Sequence, residues 1–209
     1  MKKSFYFLAI ILLISFLGGC KKDNPTPSKS TVLGRVLQLN STTPVPNAKV
    51  YLYESIWSGG LGGGEFTISK DTAVTNSKGE YSFEYTQGSN SEFFVKAYAD
   101  NYYTDNNTRW TIESKKQVRD VIITPYAWIS IRVINLPPVN INDDIKIGGD
   151  WGGHDQDVSK SGKCDTLFTK RVPGNQKTRV YKWINYASTG LIDSVYCKGL
   201  DTTFYTITY

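Results

Sequence analysis

From Glu80 to Tyr85 the chain reads EYSFEY, and from Phe93 to Ala99 it reads FFVKAYA. Tyr81, Phe83 and Tyr85 alternate with Ser82 and Glu84, while Phe93, Val95, Ala97 and Ala99 alternate with Phe94, Lys96 and Tyr98. An apolar residue at every second position lines one face of a pleated strand, whereas one face of a helix needs a period of 3.6. The same period returns after Pro125, where Ile129, Ile131 and Val133 oppose Ser130 and Arg132. Turn-forming clusters such as Asn76 to Gly79 (NSKG) separate these runs, and Tyr, Thr, Val, Ile and Trp are abundant in them. The chain is therefore expected to be all-β, built from short antiparallel strands.

The N-terminus stands apart. Lys2 and Lys3 precede an apolar run from Phe5 to Leu17, which small residues end before Cys20. That run is shorter than the roughly 20 residues a permanent membrane helix needs, and reads as an export signal over residues 1–19. Leu17, Gly18, Gly19 and Cys20 resemble the lipobox of bacterial lipoproteins. The resemblance implies cleavage before Cys20, lipidation of its thiol and a membrane anchor, since several acyl chains at about 0.8 kcal/mol per buried methylene hold where one is marginal. The following KKDNPTPSKS is polar and proline-rich, so residues 20–30 read as the lipidated cysteine and a tether. The expected location is the outer membrane, with the cell surface favoured over the periplasmic face.

Loss of Lys2 and Lys3 would leave 22 basic against 19 acidic residues, in runs no longer than pairs. Such a scatter excludes a nucleic-acid footprint. With Cys20 lipidated, Cys164 and Cys197 remain, and in an oxidising compartment they are expected to pair. A disulfide there would contribute about 3 to 4 kcal/mol in the chain-entropy model. Two unpaired thiols are the alternative, and a two-cysteine metal site lacks both a CxxC and a second histidine.

Residues 31–125 read as one run of strands. Gly34 and Val36, then Pro46-Asn47-Ala48-Lys49-Val50, then TNSKGEYSF from Thr75 to Phe83, and VKAYADNY from Val95 to Tyr102, stand in an order similar to that of the carboxypeptidase regulatory-like domain. That family's members are prealbumin-like (transthyretin-like) seven-stranded sandwiches. The resemblance implies a β-sandwich without catalytic residues of its own. Asn101 stands where the family has glycine, and asparagine tolerates the left-handed conformation. The glycine-rich segment Gly59 to Gly64 lacks the Lys-Ser/Thr and the helix of a phosphate loop and reads as a hairpin tip.

Residues 126–209 form a second β unit with no family resemblance, expected to be an immunoglobulin-like or prealbumin-like sandwich. The aromatic alternation from Tyr205 to Tyr209 places the last strand inside a sheet. Between two of the strands lies GGDWGGHDQD, Gly148 to Asp157, with the only histidine of the chain. Asp150, His154, Asp155 and Asp157 offer a candidate metal set, and Asp155 with Asp157 form a D-x-D pair suited to calcium. Four glycines deprive the loop of the rigidity that a hydrolytic centre needs, so a solvated loop with Trp151 over the sandwich end is the favoured reading. Trp151, Trp57 and Trp110, near loops, are candidate ligand-binding aromatics, although most tryptophans are at least partly buried.

No GxSxG is present, and a Ser-His-Asp site would have to use His154, so no enzyme is expected. The function expected is a membrane-anchored, non-catalytic binding or accessory module for a glycan or protein partner, with no cofactor unless calcium. The alternative is a structural subunit of an envelope assembly.

Overall fold

The structure, a computed structural model, describes residues 28–59, 64–87, 91–103, 109–113, 116–137, 139–151, 157–185 and 190–209. Cys20 and the leader lie outside the described residues, as do His154 and Asp155 of the loop.

The described residues form strands without helix. They are β1 (Ser28–Gln38), β2 (Lys49–Trp57), β3 (Glu65–Val74), β4 (Glu80–Gln87), β5 (Ser91–Tyr98), β6 (Trp110–Ile112), β7 (Lys116–Val118) and β8 (Val121–Ile123), followed by β9 (Tyr126–Ile134), β10 (Asp144–Gly149), β11 (Val158–Ser161), β12 (Asp165–Pro173), β13 (Gln176–Ile184), β14 (Leu191–Cys197) and β15 (Thr202–Thr208). The all-β expectation holds.

β1 carries β4 antiparallel on one side and β7 then β8 parallel on the other, and the facing sheet has the order β3-β2-β5-β6. β7 and β8 are two halves of one strand, interrupted where Arg119 and Asp120 bulge toward Gly34. There Arg119 N–H donates to Leu33 O (2.8 Å), and Arg119 O accepts the Tyr81 hydroxyl at 2.5 Å. A Cβ on Gly34 would stand 1.9 Å from Arg119 O, so only glycine fits. Between the sheets the alternating residues meet in one core, with Val32, Val36, Val50, Leu52, Phe93 and Val95 almost wholly buried. Asn101 has φ 66°, the left-handed conformation expected of it.

The second unit repeats this plan. β9 is flanked by β12 antiparallel and β15 parallel, and the facing sheet runs β11-β10-β13-β14. Taken in chain order, the first strand pairs with the fourth and the last, and the second with the third and the fifth, in both units. Immunoglobulin domains place their first two strands in one sheet; here β9 and β10 lie in different sheets, so the second unit departs from the immunoglobulin order and shares that of the first. Ala127, Ile129, Ile131 and Val133 of β9 are fully buried against Ile145, Ile147 and Val180 in a core separate from the first.

Two expectations need correction. β15 sits at the rim of its sheet, its backbone paired with β9 alone among the described strands. Cys164 and Cys197 are unbonded. Asn135 N–H donates to Cys164 O beside the start of β12, whereas Asn175 N–H donates to Cys197 O beyond its end. The nine residues of β12, at about 3.3 Å each, hold the thiols at opposite ends of the sandwich, far beyond the roughly 7 Å Cα separation a disulfide tolerates. Burial pushes the Cys197 thiol pKa up.

The units join at Pro125, where Tyr126 N–H donates to Asn101 O (2.7 Å) and Gly174 N–H to Pro125 O (2.8 Å). Asn175 spans the join: its Nδ2 donates to Gln38 Oε1 (3.1 Å) and its Oδ1 accepts from Gly199 N–H (2.8 Å).

Candidate functional site

The tryptophans singled out in the sequence do not converge. Trp57 ends β2 and is 60% exposed. Trp110, partly buried on the first core, lines a cavity of about 360 Å³ with Leu39, Ala97, Val121 and Ile123. Its partner Val95 is also opposite Leu52, five residues along β2 from Trp57. Trp151 packs on the second core rather than presenting its ring as a recognition surface. The two described acids of the loop are also engaged. Asp150 takes a two-point bond from Arg179, with Nε 2.7 Å and Nη2 3.2 Å from its oxygens, and Asp157 lies 3.0 Å from Lys146 Nζ. Among the described residues no three metal-ligating side chains gather.

These ion pairs instead frame a face that none of Trp57, Trp110 and Trp151 marks. In β13, Thr178 and Val180 are buried, so Lys177, Arg179, Tyr181 and Trp183 project from the outer side of the sheet. The Tyr181 and Trp183 rings stack with centroids 6.0 Å apart and planes 25° from parallel. Lys146 of β10, opposite Trp183 in register, holds its ammonium 5.6 Å from that ring, and the Arg179 guanidinium is 5.7 Å from the Tyr181 ring. Such cations favour an aromatic face by about 0.5–1 kcal/mol at exposed sites. Ile192 of β14, opposite Tyr181 and 60% exposed, continues the face.

Three glycines make room for these rings. A Cβ on Gly148 would come within 2.7 Å of Asp157 Oδ1 and 3.3 Å of the Trp183 ring, and one on Gly190 within 2.9 Å of Trp183 Nε1. Trp183 thus lies low across the sheet between them. Gly149 does the same for the other tryptophan, since a Cβ there would meet the Trp151 ring at 2.5 Å. The Gly148-Gly149 pair, read from sequence as part of the inter-strand loop, lies in strand β10 and admits one indole on each face of it.

The hydrogen bonds from Arg179 hold the Asp150 carboxyl below its ordinary pKa, overcoming partial burial. With Lys146 and Arg179 each neutralised by an aspartate, the face presents flat aromatic surface bordered by fixed donors and acceptors. It can stack on a ligand with an apolar face and bond the polar groups at that ligand's rim. The signal for it in the sequence is the period-two spacing of Arg179, Tyr181 and Trp183, which lie along a strand and not at a loop tip.

No family model and no curated protein matches the chain. Among solved structures it is similar to the Bacillus anthracis TIE protein (11% identity, 86% of this chain and 34% of that one, TM-score 0.37). It is similar also to a streptococcal ancillary pilin (12%, 86% and 62%, TM-score 0.37). A DUF3823 family protein from Bacteroides uniformis is matched over 84% of this chain and all of that one, at 12% identity and a TM-score of 0.31. The chain spans about a third of the first of these and under two thirds of the second. Likenesses at this level carry no argument about function.

Proposed function

We propose that this chain is the binding part of a cell-envelope lipoprotein, anchored through Cys20 and non-catalytic, and that its ligand is a glycan held on the Tyr181–Trp183 face. The observation that carries the reading is the stacked pair itself, laid low over glycines and bordered by the Asp150–Arg179 and Asp157–Lys146 pairs. Pyranose rings have apolar faces that stack on aromatic rings and hydroxyls that bond carboxylates and guanidinium groups. The lipobox-like LGGC and the tether after it support an anchored setting.

The test is a glycan array probed with the full chain in detergent, followed by titration of the best ligand by tryptophan fluorescence. Trp183→Ala should weaken binding about tenfold or more, the loss of about 1.4 kcal/mol of contact. Trp57→Ala should leave it unchanged. Equal affinity in Trp183→Ala, or no glycan bound at millimolar concentration, would overturn the reading.

A further inference from the structure

Each sheet has two rims, and the strands on them differ in what guards them. β4 carries Glu80 and Glu84; β3 carries Glu65, Lys70 and Asp71, with an irregularity in its pairing to β2; β12 carries Asp165, Lys170 and Arg171. β14 carries Asp193, β11 has four residues including Lys160, and β6, β7 and β8 have three each. Charges, irregularities and short length are the usual protection of a sheet edge against pairing with another chain. β15 has none: Thr202 to Thr208, TTFYTIT, is seven residues without charge, proline or glycine, and Phe204, next to its middle, is 76% exposed.

The backbone shows which groups stand open. Trp128 N–H donates to Asp201 O, Tyr209 N–H to Ile134 O, and Leu136 N–H to Tyr209 O. In a parallel ladder that pattern gives the odd-numbered residues of β15 to β9. The N–H and C=O of Thr202, Phe204, Thr206 and Thr208 therefore point away from β9, and among the described residues no strand receives them, although the Thr202 N–H donates to the Asp201 carboxylate at the start of the strand (2.8 Å). On the inner side β15 is pinned, since the Tyr205 hydroxyl bonds Asp193 of β14, which also pairs with Lys182.

We propose that β15 is a self-association edge, and that its occupant is β15 of a second copy of this chain, antiparallel about a twofold axis at Tyr205. The open groups are self-complementary in that register and no other uses them all. Thr202 falls opposite the second copy's Thr208, and Phe204 opposite its Thr206. These positions are the hydrogen-bonded pairs, so all eight outward groups find partners once the Thr202 N–H exchanges the Asp201 carboxylate for the second copy's Thr208 C=O. Because the strand has no charge, no like charges meet. The two Phe204 rings lie diagonal across the axis on the outer face, within reach of each other, and the two three-stranded sheets become one of six strands. A single pair of strands buries less than the roughly 1,200 Å² of a stable interface; the dimer is weak and reversible.

The experiment is sedimentation velocity of the full chain in detergent over a wide concentration range, with amide hydrogen exchange on the same samples. Expected is a monomer–dimer equilibrium in which the amides of Phe204, Thr206 and Thr208 gain protection as concentration rises, while those of Thr203, Tyr205 and Ile207 are protected throughout. Thr206→Pro removes an outward N–H without touching the β9 ladder, and Thr206→Lys puts a charge beside the axis; each should weaken the dimer at least tenfold with the odd-numbered amides still protected. Leu167→Lys, on the opposite rim of the same sheet, should leave it intact. A chain monomeric at every concentration, a dimer dissolved by Leu167→Lys but by neither change at Thr206, or even-numbered amides that exchange fast throughout would each overturn the proposal.

Discussion

Replacing Gly34 by alanine sets two arguments of opposite sign against each other. Propensity alone favours the change, since glycine inside a strand is less stable than alanine by roughly 0.5–1 kcal/mol. The packing opposes it: the new Cβ would stand 1.9 Å from Arg119 O and 2.5 Å from Arg119 C, both backbone atoms. Restoring ordinary contact needs the Arg119 bulge to retreat by more than an ångström. That retreat breaks the Arg119 N–H bond to Leu33 O and the Tyr81 hydroxyl bond to Arg119 O. Two hydrogen bonds at about 1 kcal/mol each, with about 1–3 kcal/mol of overpacking and less the gain in propensity, give a net loss of about 2–4.5 kcal/mol. Native-state hydrogen exchange resolves the loss by region. Amides of Val36 and Leu52 in the first core should lose that much protection, while those of Ile129 and Ile131 in the second should change little. A Gly34→Ala chain as protected as the parent at Val36, or more so, would refute the reasoning.

Alkylation of denatured, unreduced chain should modify both Cys164 and Cys197, and mass spectrometry that finds them linked would contradict their placement at opposite ends of β12. Thr75→Val should cost about 2–4 kcal/mol in urea unfolding, because the buried Thr75 hydroxyl accepts from Ala48 N–H (2.9 Å) and donates to Val45 O (2.7 Å), and valine satisfies neither. Asp150 should titrate below its ordinary value of 3.8 by carbon-detected NMR. A depressed folded pKa means that its contribution is present above the unfolded value and lost as pH falls through the folded one. At 40% exposure of that side chain the contribution is under about 1 kcal/mol, so Asp150→Asn should lower the melting temperature slightly at pH 7, and the difference from the parent should vanish near pH 2. An Asp150 pKa above 3.8 would show that the Arg179 pair does not persist in solution.

Much of the fold was legible in the chain, because strand period is a local property. Tyr81, Phe83 and Tyr85, and again Ile129, Ile131 and Val133, are buried as their alternation requires. Asn101 takes the left-handed turn that its place after Ala99-Asp100 demands. The candidate site was less legible. Asp150 and Asp157 read as free ligands until Arg179 and Lys146, on other strands, are brought beside them. Trp151 and Trp183 differ in role because Gly149 and Gly148 point to opposite faces of β10, which no count of tryptophans reveals.

What the residues determined alone is the set of strands, their inward faces and the turns between them, all consequences of interactions within a few positions. Which strands became neighbours was decided only by the packed sandwiches. Pairings such as β1 with β8 and β9 with β15 join residues more than 70 positions apart, and local propensity carries no information about a partner so distant. The same closure separated Cys164 from Cys197, paired Asp150 and Asp157 with cations and left β15 on a rim, since each depends on which strand lies alongside.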